Sequence, residues 1–196
     1  EYVIEGGVDY IVALGSTAET ATLSLKERQE VLDFIVERTA ERVPIVAGMG
    51  SNNTAELVEQ LRTFDLSQCV AILCVAPYYN KPSQEGIYRH FMAVAEASPI
   101  PVIVYNVPGR TGVNMTAETT LRLAHATERI VAIKEAAGDI EQMQRIIDGL
   151  LGLRVGNMTV HICHQRGIDI IKVQFLHTQQ FLTQANIAMH FIEVLV

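Results

Sequence analysis

The feature that most restricts the fold of this chain is a series of short, continuously apolar segments at nearly regular intervals. They are DYIVAL at 9–14, VPIVAG at 43–48, CVAILCVAP at 69–77, IPVIVYN at 100–106 and RIVAIKE at 129–135, so their starts are 26 to 34 residues apart. Continuous apolar runs are typical of strands that are buried on both faces, as in parallel sheets. The spacing matches a strand plus its crossover helix, and the sequence therefore predicts five consecutive strand, loop, helix units.

Signals for the start of a helix lie between these segments. Ser24 and Glu27 form the pattern of a capping box, in which the serine hydroxyl accepts from the Glu27 amide and the glutamate reaches back to the cap. Equivalent starts, each with a glutamate in the first turn, are predicted at Thr54, Ser83, Thr116 and Asp139. Helices are thus expected after each of the five segments.

Repeated units of this kind fit a doubly wound open sheet or a (β/α)₈ barrel. No G-x-G-x-x-G or P-loop motif follows any segment, which weakens the nucleotide-binding open sheet. The expected fold is therefore an α/β protein of the (β/α)₈ TIM-barrel class. Such barrels usually need about 250 residues, so a chain of 196 residues is expected to be an incomplete barrel.

The regular alternation of apolar segments and helix-start signals ends near residue 150. Residues 1–150 are expected to form the core βα units, and residues 151–196 the diverged or truncated remainder of the same barrel, with no separate domain. Within this remainder, 167–175 fits a strand and 179–196 fits a helix. Glu1 to Tyr10 resembles the middle of a helix, as if the chain had been cut from a longer product.

The composition argues against several classes of partner. The formal net charge is −7 and no basic cluster occurs, so nucleic acid is not an expected partner. No apolar stretch reaches about 18 residues and the first ten residues lack the pattern of a signal peptide, so no membrane association is expected. Three cysteines without a C-x-x-C pair favour a reducing cytoplasm over a disulfide scaffold.

Residues that follow the strands of a barrel meet at one mouth, whereas the opposite end serves stability. The ends of the apolar segments and the residues just after them carry Ser16, Thr17, Tyr79, Tyr105, Arg110 and Lys134. One mouth is therefore expected to collect hydroxyl groups, tyrosines, an arginine and a lysine.

Lys134 is the residue with the most specific chemistry in this set. An apolar mouth disfavours the ammonium form of a lysine, and the neutral amine can attack a carbonyl, so Lys134 is a candidate for a Schiff base. A tyrosine within hydrogen-bond reach would relay protons through the hydroxyls of Ser16 and Thr17. Arg110 would bind a substrate carboxylate with two parallel hydrogen bonds.

The same residues also have purely structural interpretations. Lys134 fits a solvated lysine or one paired with the adjacent Glu135, and Tyr105 fits a packing residue. PGRTG at 108–112 and GST at 15–17 fit ordinary turns. Their coincidence at the same ends of consecutive strands favours the functional interpretation.

Five motifs, in this order and spacing, resemble those of the dihydrodipicolinate synthase family within the pyruvate-dependent class I aldolase superfamily. They are GGVDYIVALGSTAET at 6–20, AGMGSNNTAE at 47–56, APYYNKPSQEG at 76–86, YNVPGRTGVNM at 105–115 and AIKEAAGD at 132–139. The resemblance implies a (β/α)₈ barrel, assembled as a homotetramer, that condenses pyruvate with aspartate β-semialdehyde in lysine and diaminopimelate biosynthesis. It implies no metal and no organic cofactor, since the lysine itself is the electron sink.

The resemblance also implies a role for each matching position. Lys134 would form the imine with pyruvate, and Tyr105 and Thr17 would pass protons. Tyr79 would complete this relay from a neighbouring subunit, which makes a dimer interface part of the site. Arg110 would bind the carboxylate of the semialdehyde, while Ser16 and Thr17 would cradle that of pyruvate.

This sequence departs from the family pattern at several places. Ser16 stands where threonine is more common, and Ala18 where glycine is usual. The first strand of the family is expected upstream of Glu1. The usual Gly-Asp-Asp turn is missing near RVGNMTVH at 154–161, and DIIKV at 169–173 replaces the usual GVISV, with Ile171 at the position whose backbone would border pyruvate.

Three alternatives remain open at this stage. The first is a related imine-forming lyase, such as N-acetylneuraminate lyase or a 2-keto-3-deoxy-sugar-acid aldolase, although these typically lack an arginine at the position of Arg110. The second is a metal-binding module built on His161, Cys163, His164 and His177, whose spacing is poor for a tetrahedral zinc site. The third is a barrel fragment with an inherited but inactive site.

Overall fold

The computed structural model describes residues 1–152, 159–162, 172–173 and 192–193, with side chains for residues 1–150. The described strands are β1 (Ile11–Ala13), β2 (Ile45–Gly48), β3 (Ala71–Val75), β4 (Val102–Asn106), β5 (Ile130–Glu135), β6 (Thr159–Ile162), β7 (Lys172–Val173) and β8 (Ile192–Glu193). The α-helices are α1 (Tyr2–Glu5), α2 (Leu25–Thr39), α3 (Thr54–Thr63), α4 (Gln84–Ala97), α5 (Pro108–Thr111), α6 (Ala117–Ala126) and α7 (Ile140–Gly152), and Thr20–Thr22 forms a 3₁₀ turn. The predicted strands and helices within residues 1–150 are therefore confirmed.

The strands form one sheet in the order β7-β6-β5-β4-β3-β2-β1-β8. Strands β1 to β6 pair in parallel with their sequence neighbours, as the βα repeat predicts. This arrangement places the carboxyl ends of β1 to β5 at one edge of the sheet, where the predicted functional residues lie.

The C-terminal remainder agrees with the sequence-based prediction in one place and differs from it in another. Of the predicted strand 167–175 the structure describes Lys172–Val173, which form strand β7 as predicted; this strand runs antiparallel to β6 and so does not continue the βα repeat. Within the predicted helix 179–196 it describes β8, a strand that pairs in parallel with β1. The helix prediction is therefore wrong at Ile192–Glu193, because these residues complete the backbone hydrogen bonds of the otherwise unpaired edge of β1.

The two faces of the sheet bury different sets of side chains. On one face, strand residues such as Ile72 share a core cluster with helix residues such as Leu57 of α3 and Phe91 of α4. The other face carries an inner cluster, defined as Tyr10, Val12, Val46, Ala71, Leu73, Ile103, Tyr105, Val107 and Ala132, which contains no helix residue. Burial on both faces explains why the strand segments are continuously apolar.

Side-chain caps at the helix starts agree with the predictions at four of the five predicted positions, and the fifth shifts by one residue. Ser24 and Glu27 form the complete capping box of α2. Ser83 and Thr116 accept hydrogen bonds from Gly86 N and Thr119 N. The cap of α3 is Asn53, whose side chain accepts from Glu56 N, and not the predicted Thr54, since asparagine is at least as good an N-cap as threonine. Asp139 accepts from Gln142 N at the start of α7.

A buried histidine makes this fold sensitive to acid. His90 lies in α4 with 3% of its surface exposed, its Nδ1 is 2.8 Å from Thr54 Oγ1 and its Nε2 is 3.9 Å from Cys74 Sγ. Burial lowers the pKa of His90 from 6.5 to about 4. The unfolded chain therefore binds a proton at a higher pH than the folded chain does.

We expect the free energy of unfolding to fall by about 3 kcal/mol as the pH drops from 6.5 towards 4 because of this one side chain. The loss begins at the pKa of the unfolded state and is complete below that of the folded state. Urea unfolding across this range should show a flatter pH dependence for His90→Asn than for the wild type. Parallel curves would show that His90 does not carry the effect.

No helix in the described part of the chain is long and apolar enough to cross a bilayer.

Candidate active site

Lys134 and Tyr105 lie side by side at the carboxyl ends of β5 and β4. They are register partners in the parallel ladder, and each has 6% of its surface exposed. Lys134 Nζ is 4.4 Å from the centroid of the Tyr105 ring. Because Tyr105 belongs to the inner cluster, the lysine amine lies on the same inner face of the sheet. The interpretation of Lys134 as a solvated residue is therefore wrong.

Glu135 does not share this environment with Lys134, because successive side chains of a strand point to opposite faces. Its carboxylate is fully buried and accepts hydrogen bonds from Asn106 Nδ2 at 3.0 Å, Gln142 Nε2 at 3.0 Å and Ala137 N at 2.8 Å. Desolvation raises the pKa of Glu135 above its ordinary value, although these hydrogen bonds oppose the shift. The carboxylate is therefore bound on the helix-facing side of the sheet.

A cavity of about 250 Å³ opens at the carboxyl ends of β1 to β4. It brings together three of the predicted site residues, Ser16, Tyr105 and Arg110, and adds Tyr78 from the loop after β3. Thr17, Tyr79 and Lys134 are not among the residues that line it. The cavity is thus lined by a hydroxyl, a phenol and a guanidinium. Lys134 lies against the Tyr105 ring, which is part of this lining.

The turn that carries Ser16 and Thr17 follows β1 directly. Leu14 takes a left-handed backbone conformation with φ of 57°, and Ala18 N donates to Gly15 O at 3.0 Å, which closes a tight turn. A left-handed leucine is uncommon and such strain is concentrated at functional sites. The turn exposes Ser16 and leaves Thr17 half-buried.

Close contact between backbones supports this turn from β2. An added Cβ on Gly48 would lie 2.0 Å from the Leu14 carbonyl oxygen, so only glycine allows β2 to approach the end of β1.

We expect Gly48→Ala to lower the free energy of unfolding by about 3 kcal/mol, since relief of the clash must move the backbone of β1. Gly109→Ala is the matched control, because an added Cβ there meets nothing within 4 Å. Urea titration of both variants tests the prediction, and equal stabilities would contradict it.

Tyr79 extends from the loop after β3. It is 86% exposed and has a left-handed φ of 70°, and its amide donates to Thr111 O at 3.1 Å. Asn80 Nδ2 also donates to Asn52 O at 2.8 Å, which ties this loop to the one after β2. The loop is therefore bound on both sides while the Tyr79 ring faces away from the protein.

The remaining candidates belong to the C-terminal part of the chain. Ile171 lies outside the described residues, as do three of the four proposed metal donors, Cys163, His164 and His177. His161 lies in β6 as the register partner of Lys134. Among the side chains of residues 1–150, no group of three His, Cys, Asp or Glu residues is arranged to hold a metal ion.

Sequence reasoning missed the polar residues on the helix-facing side of the site. Asn106 and Gln142, both buried, bind Glu135 and so contact the strand that carries Lys134. Asn106 is the last residue of an apolar strand, and a polar side chain at that place is a signal that the sequence does contain. Gln142 lies in the polar first turn of a helix and carries no such signal.

Comparisons with known proteins show which proteins this chain is related to. Residues 1–150 match the model of the dihydrodipicolinate synthetase family. A protein of Flavobacterium psychrophilum named 4-hydroxy-tetrahydrodipicolinate synthase is 59% identical over 148 residues, which cover 76% of this chain and 50% of that protein. A protein of the same name from Porphyromonas gingivalis is 50% identical over 147 residues, covering 75% of this chain and 50% of its own length.

Solved structures show the same relationship at the level of the fold. The dihydrodipicolinate synthase of Acinetobacter baumannii, solved as a complex with pyruvate, aligns with a TM-score of 0.75 and 44% identity over 82% of this chain and 54% of that one. The synthase from Aquifex aeolicus aligns with a TM-score of 0.74 and 36% identity over 82% of this chain and 54% of that one. These alignments confirm the TIM-barrel class.

The chain spans about half the length of the curated relatives it matches. The match to the family model covers all five βα units that carry the candidate site. The chain therefore belongs to the dihydrodipicolinate synthetase family.

Proposed function

We propose that this chain carries the active site of a 4-hydroxy-tetrahydrodipicolinate synthase, which condenses pyruvate with aspartate β-semialdehyde through a Schiff base on Lys134. The observation that carries the proposal is the placement of the Lys134 amine, nearly buried and 4.4 Å from the centre of the Tyr105 ring. The names of the relatives support the same reaction.

The first chemical step is attack of the Lys134 amine on the keto carbon of pyruvate. The neutral form of the amine is the reactive one, because only it carries a free electron pair for this attack. The new carbon–nitrogen bond forms a carbinolamine, whose hydroxyl takes up a proton and leaves as water to give the imine. Loss of a methyl proton then gives an enamine, whose carbon attacks the aldehyde of the second substrate.

Tyr105 is the group that we assign to these proton transfers. Its phenol can donate to the departing hydroxyl and accept the proton again in the next step. Thr17 and Ser16 supply hydroxyls from the turn after β1, and Ser16 shares the cavity with Tyr105. We assign the carboxylate of pyruvate to this turn, where hydroxyl and backbone N–H groups donate to an anion.

Tyr79 is assigned to the same relay in an assembled enzyme. Its 86% exposure and its rigidly held loop suit a side chain that reaches a neighbouring subunit. We therefore propose a homo-oligomer, a dimer of dimers, in the cytoplasm, with lysine and diaminopimelate biosynthesis as its context. Ile171 is assigned to the border of the pyruvate site on the resemblance alone.

Arg110 is assigned to the carboxylate of the semialdehyde. It lines the cavity with Tyr105 and Ser16, and its guanidinium offers two parallel N–H donors to a carboxylate.

We expect Arg110→Ala to raise the KM for aspartate β-semialdehyde by about 10-fold to 100-fold, the loss of one charge-assisted contact. Trapping of pyruvate should be unchanged, because that step does not use Arg110. Arg89→Ala, which removes an exposed ion pair with Glu85, is the control. Equal changes for both substrates would contradict the assignment.

Reductive trapping tests the proposed function directly. The chain is incubated with pyruvate and borohydride, digested, and analysed by peptide mass spectrometry. We expect the mass of one reduced pyruvate unit on the peptide that contains Lys134. Absence of this adduct from a chain with an α/β circular dichroism spectrum would reject the proposal and support the inactive barrel fragment.

The related lyases of the superfamily form the same adduct, so trapping alone does not distinguish them. Release of pyruvate from N-acetylneuraminate or from a 2-keto-3-deoxy sugar acid does. We expect no release, because those lyases typically lack an arginine at the position of Arg110, which here lines the cavity.

A further inference from the structure

The residues that directly follow Tyr105 and Lys134 form a second pair on the opposite face of the sheet. Asn106 and Glu135 are register partners, as Tyr105 and Lys134 are. Because side chains alternate along a strand, one pair faces the inner cluster and the other faces the helices. Both Asn106 and Glu135 are fully buried.

This second pair is directly hydrogen-bonded. Asn106 Nδ2 lies 3.0 Å from each carboxylate oxygen of Glu135. Asn106 Oδ1 accepts from Met115 N at 2.9 Å, and Asn106 O accepts from Ala136 N at 2.9 Å. The end of β4 is thus bound to the end of β5 through both backbone and side chains.

Two further amides complete what we call the back cluster, which consists of Asn106, Asn114, Glu135 and Gln142. Gln142 Nε2 donates to Glu135 at 3.0 Å, and Asn114 Nδ2 donates to Gln142 Oε1 at 2.9 Å. The cluster therefore joins β4, β5, the segment before α6 and the first turn of α7 around one buried carboxylate.

The pairing of β4 with β5 is irregular at its amino-terminal end, far from the back cluster. The register shifts between Val102 and Ile103, so that Val131 is an extra residue of β5. The register of Lys134 against Tyr105 therefore depends on the four pairs beyond the shift, from Ile103–Ala132 to Asn106–Glu135. The last of these pairs is the one that the side-chain hydrogen bonds of the back cluster hold together.

We propose that the back cluster sets the position of Lys134 against Tyr105, with Glu135 as its central positioning residue. Glu135 does not contact the substrate and acts through β5. A displacement of about 1 Å between an amine and its proton donor can cost about 100-fold in rate. The inference rests on the proposed function, since it concerns the rate of imine formation at Lys134.

The test variant is Glu135→Gln, which keeps the shape of the side chain. One carboxylate oxygen becomes an NH₂ group, and both oxygens face N–H donors, of Asn106 and Ala137 on one side and of Asn106 and Gln142 on the other. Either orientation of the new amide therefore sets donor against donor at one of the two positions, which weakens the side-chain link between the two strand ends.

The control is Ser98→Ala. Ser98 lies just before β4, at the end of the strand opposite to Asn106. Ser98 is also buried and its hydroxyl donates to Ile100 O at 2.6 Å, so its loss measures general destabilisation. A milder second variant, Gln142→Met, removes one donor to Glu135 and leaves the Asn106–Glu135 pair in place. It decides the question if Glu135→Gln does not fold.

The measurement is the rate of borohydride trapping across a series of pyruvate concentrations, expressed per folded molecule by circular dichroism. For Glu135→Gln we expect the saturating rate to fall about 10-fold to 100-fold, with the half-saturating pyruvate concentration changed by less than about 3-fold. Gln142→Met should lose a few-fold, and Ser98→Ala should keep the wild-type rate.

The outcomes separate this inference from the proposed function. Absence of an adduct in the wild type rejects the proposed function and with it this inference. A wild-type adduct together with wild-type saturating rates in Glu135→Gln, or in Gln142→Met if the first variant does not fold, overturns the positioning role alone and leaves the back cluster as a stabilising feature.

Discussion

We expect Lys134→Met to abolish the reduced pyruvate adduct completely, because no other side chain replaces the amine that forms the imine. Methionine has nearly the same length and no charge, so it should occupy the same nearly buried space beside the Tyr105 ring. The melting temperature should be equal to that of the wild type or higher, because a buried amine is costly to desolvate. The measurement combines peptide mass spectrometry with thermal unfolding.

Lys81→Met is the matched control for this prediction. Lys81 is exposed and lies in the loop after β3, near the mouth of the site, so nonspecific reduction of lysine imines would involve it equally. Its replacement should leave the adduct on Lys134 unchanged. Persistence of an adduct in Lys134→Met would remove Lys134 from the mechanism.

The second large effect is expected for Tyr105→Phe, which removes one hydroxyl and keeps the ring. The phenylalanine ring should still lie against the Lys134 amine, as the Tyr105 ring does in the wild type. Imine formation should slow by about 100-fold to 10,000-fold, the usual contribution of a positioned acid or base. The final amount of adduct after long incubation should approach that of the wild type, because only the rate depends on the hydroxyl.

Time courses of trapping distinguish these two quantities. Tyr10→Phe is the control, because Tyr10 belongs to the same inner cluster and precedes β1, at the opposite end of the sheet from the mouth. It should show a rate within about 3-fold of the wild type, since a remote hydroxyl transfers no proton to the substrate. An unchanged rate in Tyr105→Phe would assign the proton transfers to another group, with the Ser16–Thr17 turn as the next candidate.

Much of the fold follows from local patterns in residues 1–150. Continuous apolar runs marked β1 to β5, and side-chain caps such as Ser24, Ser83 and Thr116 marked the helix starts. These signals are local because an N-cap acts on amides within one turn. The cap of α3 was misplaced by one residue because Asn53 and Thr54 are adjacent and both suit the position.

The helix prediction for 179–196 fails at Ile192–Glu193 for a different reason. Strand β8 pairs with β1, which lies near the opposite end of the sequence. No local sequence pattern indicates a partner that is so distant along the chain. The short segment Ile192–Glu193 has no alternation of its own, so its strand conformation depends on the exposed edge that it meets.

Local patterns suffice to predict the βα repeat of residues 1–150, because strand burial, helix caps and the parallel direction of the strands are encoded locally. They also suffice to place Ser16, Tyr105 and Arg110, which line the cavity, at the carboxyl ends of the strands. The tertiary structure decided which face of β5 Lys134 occupies and which partners Glu135 binds. A strand buried on both faces has no polar alternation to mark its inner side, and adjacent residues such as Lys134 and Glu135 can exchange faces with a shift of one position. Only packing against Tyr105 on one face and Asn106 and Gln142 on the other fixes the register that places the amine within the site.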